Sequence, residues 1–128
     1  ARRAATAVSV LALAASMIGT AYADGKYVAQ MSIPVGQAPQ CADIPKSVEV
    51  DVEQGRVTAA DDLGKCVGPL KADGTFNCSF ATSRSGTATF SGHVAGSAID
   101  GAYQRVFTPP LPARGGFTCH ATFKGKES

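Results

Sequence analysis

From residue 26 onward, apolar and polar residues alternate in short runs, and the runs are separated by Gly, Pro, Asp and Asn. The clearest run sets Val48, Val50 and Val52 against Glu49, Asp51 and Glu53. A period of two puts every second side chain on one face, so each run predicts a strand with one buried and one solvated side. The predicted strands cover residues 26–33, 48–53, 57–60, 65–70, 75–82, 87–95, 98–107 and 116–124. Nothing after residue 23 repeats with a 3.6-residue period, which predicts essentially no helix.

The breaks between the runs carry turn chemistry. Gln54-Gly55, Asp73-Gly74 and Gly96-Ser97 are tight, and Asp-Gly before an alternating run is a strong hairpin signal for the strands on either side of it. Pairing Val52 with Val57 and Glu53 with Arg56 across Gln54-Gly55 places two valines inside and an expected ion pair outside. Two connections are longer. Residues 34–45 contain Pro34, Pro39, Pro45, Gly36 and Cys41, and predict a loop pinned by a disulfide; residues 108–115 contain Pro109, Pro110, Pro112 and Arg114. The expected fold is all-β: an antiparallel up-and-down meander of about eight strands, closed into a small barrel or, as the alternative, folded into a two-sheet sandwich. Closure removes the exposed face and edges of a flat sheet, and Gly68, Gly92 and Gly101 lie where a small barrel would bend.

Residues 1–23 have the parts of an export signal: Arg2-Arg3, an apolar run over 8–18, and Ala21-Tyr22-Ala23 before the expected cut. The apolar run is shorter than the roughly 20 residues of a spanning helix, so the mature chain, 24–128, is expected as one domain without a membrane span. The twelve Lys and Arg include Arg2 and Arg3, which leaves residues 24–128 balanced against the ten Asp and Glu. A neutral domain with scattered charges has no electrostatic footprint for nucleic acid. Cys41, Cys66, Cys78 and Cys119 all lie in the exported part, where two disulfides are expected and three pairings are possible. In a closed meander the Cys41 loop and the start of the last strand share one end, which favours Cys41 with Cys119 and Cys66 with Cys78. If Leu70 faces Phe76 in a regular hairpin, Cys66 and Cys78 are diagonal neighbours at roughly 7–8 Å, too far for a disulfide without a local shift.

The chain resembles small exported bacterial β-domains with glycine-rich hairpin phrases. Those phrases are Asp24-Gly25-Lys26-Tyr27, Gln54-Gly55-Arg56-Val57, Asp73-Gly74-Thr75-Phe76 and Ser91-Gly92-His93-Val94-Ala95-Gly96. The resemblance implies the fold and transfers no catalytic residue.

Candidate chemistry is sparse. The eight aromatic residues after residue 23 fall on the apolar parity of their strands and are expected in a packed core without a deep ligand cavity. His93 and His120 lie on outward parity of strands that are not neighbours, so a shared metal is not expected. Glu49, Asp51 and Glu53, with Asp61 and Asp62 further on, predict a solvated acidic face rather than a calcium site, and nothing in the pattern places two acids in a cleft. Asn77-Cys78-Ser79 has the form of a glycan acceptor, but lies within a strand. No catalytic residues, cofactor or metal are expected.

Arg105 is the exception, since the parity of its strand, shared with Ile99, Tyr103 and Phe107, sends it inward. Three accounts are open: a bulge at Gly101 turns it out, its head snorkels to water at the barrel mouth, or it anchors a small anionic ligand there together with Tyr103 and the loop around Arg114. The proline run after Phe107 favours a position at the mouth. The expected role is that of a non-catalytic, monomeric binding or structural accessory protein of the cell envelope, periplasmic or secreted, whose partner is an envelope protein or a small anion. The alternative is a protease inhibitor presenting residues 108–115.

Overall fold

The computed structural model describes residues 24–82, 86–108 and 115–128. The expected leader (1–23) and most of the proline loop, including Arg114, lie outside these residues. Eight strands follow the alternation: β1 (Gly25–Ser32), β2 (Ser47–Glu53), β3 (Arg56–Ala60), β4 (Lys65–Pro69), β5 (Thr75–Thr82), β6 (Gly86–Ala95), β7 (Ala98–Phe107) and β8 (Phe117–Glu127). They form one antiparallel sheet in the order β4-β3-β2-β1-β8-β7-β6-β5. The first and last strands are therefore neighbours, from Tyr27↔Glu127 to Ser32↔Thr122, and the meander rolls into a nearly closed barrel. Among the described residues, no helix is long and apolar enough to cross a membrane.

The remaining gap lies between β4 and β5, where the sequence predicts a hairpin. Only one bridge forms there, Leu70↔Phe76. The turn closes on itself instead: Lys71 N–H donates to the Thr75 carbonyl (2.9 Å), Gly74 N–H to the Lys71 carbonyl (2.8 Å), and Asp73 Oδ1 accepts from the Thr75 N–H (3.0 Å) and hydroxyl (2.6 Å). Leu70 N–H donates to the Gly55 carbonyl at 2.9 Å, which ties the end of β4 back to the β2–β3 turn. With no ladder to impose a diagonal offset, Cys66 and Cys78 come to a Cα separation of 5.7 Å and form the disulfide that staples the seam. Gly68 permits this approach, because a Cβ there would stand 2.6 Å from the Asn77 carbonyl oxygen.

The Gln54-Gly55 turn has positive φ at both positions (52° and 76°), the backbone twist a two-residue hairpin requires. Val52↔Val57 and Glu53↔Arg56 are in register as expected, but the outer pair makes no ion pair within 4 Å. Two exposed, fully hydrated side chains gain too little from pairing to offset their lost freedom.

Inside the barrel, Val50, Val57, Phe90, Val94, Ile99 and Tyr103 are fully buried, with Phe90 tilted against Tyr103 (centroids 4.9 Å) and edge-on to Phe123 (6.1 Å). Gly92 and Gly101 face each other across β6 and β7. A Cβ on Gly92 would lie 2.7 Å from the Phe76 ring, and one on Gly101 would lie 2.5 Å from that of Phe123. These glycines leave room for aromatic rings, and no bulge interrupts the β7 ladders around them.

One end of the barrel is covered by the loop between β1 and β2. It contains a single 3-10 turn, Pro39–Asp43, the one departure from an all-strand reading among the described residues. Cys41 joins Cys119 of β8 (Cα–Cα 5.4 Å), and Cys41 and Ile44 are buried beneath the loop. Gln37 makes the second attachment. Its amide donates to the His120 carbonyl (3.0 Å) and its Oε1 accepts the His120 N–H (2.7 Å), so a side chain continues the ladder where β1 has ended.

Candidate functional site at the barrel mouth

β7 delivers Tyr103, Arg105 and Phe107 to the end of the barrel that this loop covers. Arg105 points inward, opposite Ala88 on one side and Cys119 on the other, and is only 9% exposed. A buried guanidinium is strongly disfavoured unless its charge is met. Here it is met from inside, by the connection between β3 and β4.

Asp61 organises that connection. Its Oδ1 accepts the backbone N–H groups of Leu63 (2.7 Å) and Gly64 (3.0 Å), and its own N–H donates to the Gly64 carbonyl (3.0 Å). This local turn leaves Oδ2 facing the barrel. There it accepts the Tyr103 hydroxyl and, at 3.3 Å, Arg105 Nη2, while the same Nη2 donates to Asp62 Oδ1 at 2.6 Å. Arg105 Nε donates to the Tyr103 oxygen at 2.8 Å, and its guanidinium lies 5.6 Å from that ring's centroid. The Asp61 side chain is completely buried, whereas that of Asp62 is 45% exposed. Burial first, and then the bond to Asp61, push the Tyr103 phenol well above its ordinary pKa. Burial alone would lower the Arg105 pKa; its bonds to Asp62 and Tyr103 outweigh that and hold it raised.

These contacts revise the reading of Arg105. It stays inward rather than turning out at a bulge, and Nη2 carries its charge to two carboxylates. They revise the acidic residues too: Glu49 and Glu53 are exposed and Asp51 half-buried on β2, but Asp61 and Asp62 converge at the mouth, where the Arg105 guanidinium pairs with both. Among the described residues, no cluster of three potential metal ligands exists. His93, on β6, lies 3.1 Å from the Asp73 carbonyl through Nε2; His120 is on β8 and exposed.

Outside the ion-pair network, a cleft of about 330 Å³ opens at the mouth. Its walls are Phe107, Phe117, Leu63 and Val106, with Thr82, Gln40, Asp43 and Arg105 completing the lining. Phe107 and Phe117 are stacked (centroids 5.4 Å, planes at 28°) and only half-buried. The parity rule places both rings in the core. In the structure they form the last cross-strand pair before the connection from β7 to β8, and among the described residues no further strand pair lies beyond them. Arg114, expected beside Arg105 and Tyr103, and residues 109–114 of the inhibitor loop lie outside the described residues. No known protein family, curated protein or solved structure matches this chain.

Proposed function

We propose that this protein is an exported, non-catalytic binding domain of the cell envelope, periplasmic or secreted, that acts as a monomer and seats a small ligand in the mouth cleft. One observation carries the reading: a stacked aromatic pair is left half open to solvent beside a loop fastened by a disulfide and by Gln37. Ligand sites are typically concave and mainly apolar, with a few fixed polar groups at their edge. The cleft has that composition, and Val106, Phe107 and Phe117 of its walls stand on strands. The two disulfides agree with an oxidising compartment. The Arg105 network supports a positioning role: it locks the 61–64 turn, and with it Leu63, against β7.

A screen of small aromatic and aliphatic compounds by NMR on the oxidised protein tests this. Chemical-shift changes are expected to concentrate on Leu63, Val106, Phe107 and Phe117, and Phe107→Ala should abolish them with the remaining spectrum unchanged. Shift changes confined to another surface, or none with any compound, would remove the mouth as the binding seat.

A further inference from the structure

The charges around the cleft select among ligands. We infer that the mouth takes a small organic cation, an ammonium or guanidinium head on a short apolar or aromatic body. This rests on the cleft being the binding seat and specifies the chemistry it accepts.

Arg105 contributes the cleft's one positive charge among the described lining residues, and it is matched by both Asp61 and Asp62. Asp43 adds a third carboxylate, exposed, on the lining itself, and without a hydrogen bond or ion pair among the described residues. Asp62 uses only Oδ1 toward Arg105, which leaves Oδ2 and the exposed part of its side chain toward solvent. Among the described residues, two carboxylates thus meet the guanidinium and a third stands on the cleft lining. An entering anion would find Nε and Nη2 of Arg105 already donated, leaving Nη1 alone of the three guanidinium nitrogens, and would approach carboxylates of its own sign. A cation meets the opposite case: a negative field concentrated by apolar walls, and the faces of Phe107 and Phe117, whose quadrupoles attract positive charge. The volume, about 330 Å³, lies at the small end of ligand pockets, so the body is short. The proposed ligand is thus a cation, where the sequence reading expected an anion.

Three probes of similar shape separate the possibilities: benzyltrimethylammonium, p-toluenesulfonate and benzyl alcohol, titrated into the oxidised protein by NMR. The cation is expected to shift the signals of Phe107, Phe117 and Leu63 and to bind at least about fivefold more tightly than the sulfonate, the scale of an exposed charge contact acting in opposite directions. Asp43→Asn should weaken the cation by about two- to fivefold and leave benzyl alcohol unchanged. Added salt should weaken the cation alone. Asp43 is exposed and makes no hydrogen bond or ion pair among the described residues, so the variant should fold as the wild type does. Sulfonate binding at the mouth as tightly as the cation, or an Asp43→Asn variant that binds the cation undiminished, overturns the cation assignment and leaves the seat standing. If none of the three probes moves the mouth signals, the seat itself is lost.

Discussion

Arg105 and Asp61 depend on each other, and the energetic asymmetry of buried charges makes that testable. Arg105→Leu removes the cation and leaves the buried Asp61 carboxylate with only the Tyr103 hydroxyl and two backbone N–H groups. Breaking one side of a buried pair costs about 3–5 kcal/mol, which should appear as a large fall in the urea midpoint. Asp62→Asn touches the same guanidinium from a half-exposed position and should cost no more than about 1 kcal/mol. Equal losses from the two variants would contradict the burial difference on which this rests. Tyr103 adds a pH dependence. Its folded pKa is raised, so its contribution is complete below the ordinary phenol value of about 10 and is lost as the pH rises through the folded value. Tyr27 is raised as well, by burial and then by Glu127. Stability measured against pH should hold level up to about pH 10 and then fall. Tyr103→Phe should make that alkaline limb shallower, with Tyr27 retaining part of the slope.

Among the elements, the loop over the mouth shows how irregular chain is held on a barrel. β1 stops before Pro34, which has no N–H to offer, while β8 begins further along the same edge; His120 would face water without a partner strand. Gln37 supplies both a donor and an acceptor in the spacing a strand residue would offer. Gln37→Ala should cost about 1–2 kcal/mol, from two bonds of roughly 0.5–1.5 kcal/mol each at a solvated position. The sharper readout is hydrogen exchange: the His120 amide should exchange faster in the variant, while amides along the β7–β8 ladder keep their protection. An unchanged His120 rate would show that the disulfide at Cys119 alone holds the loop.

At the scale of the molecule, the two disulfides close loops of different kinds. Cys41–Cys119 spans 78 residues and Cys66–Cys78 spans 12. Loop entropy assigns them about 4.5 and about 3 kcal/mol, so removing the first should lower stability more. The consequences for the surface run in the other order. The seam between β4 and β5 has one bridge and one staple, and a Cys66→Ala, Cys78→Ala double variant leaves two strand edges held by the bridge alone. Free edges pair with other chains. This variant should associate as its concentration is raised, seen by light scattering, whereas the Cys41→Ala, Cys119→Ala variant should remain monodisperse although less stable.

Strand positions, inward and outward faces, the β2–β3 register and the inward path of Arg105 are all legible along the chain, because a period of two is a local property that each run carries by itself. The disulfide partners follow once a closed meander is assumed, since strand order then decides which ends meet. Three features were not legible, and each depends on contacts between distant segments. The Asp73-Gly74 phrase reads as a hairpin, yet β4 is tied back to Gly55 and the turn satisfies its own bonds, so the seam opens where local grammar predicts a ladder. Phe107 and Phe117 keep core parity, but parity does not reveal where a barrel ends, and the last layer is left half covered. Asp61 reads as one of several surface acids; its role comes from a turn that aims Oδ2 at Arg105, 44 residues away in the chain. Alternation determines which face a side chain occupies, whereas closure of the barrel decides what it meets there, because a buried charge takes the partner that folding brings within reach.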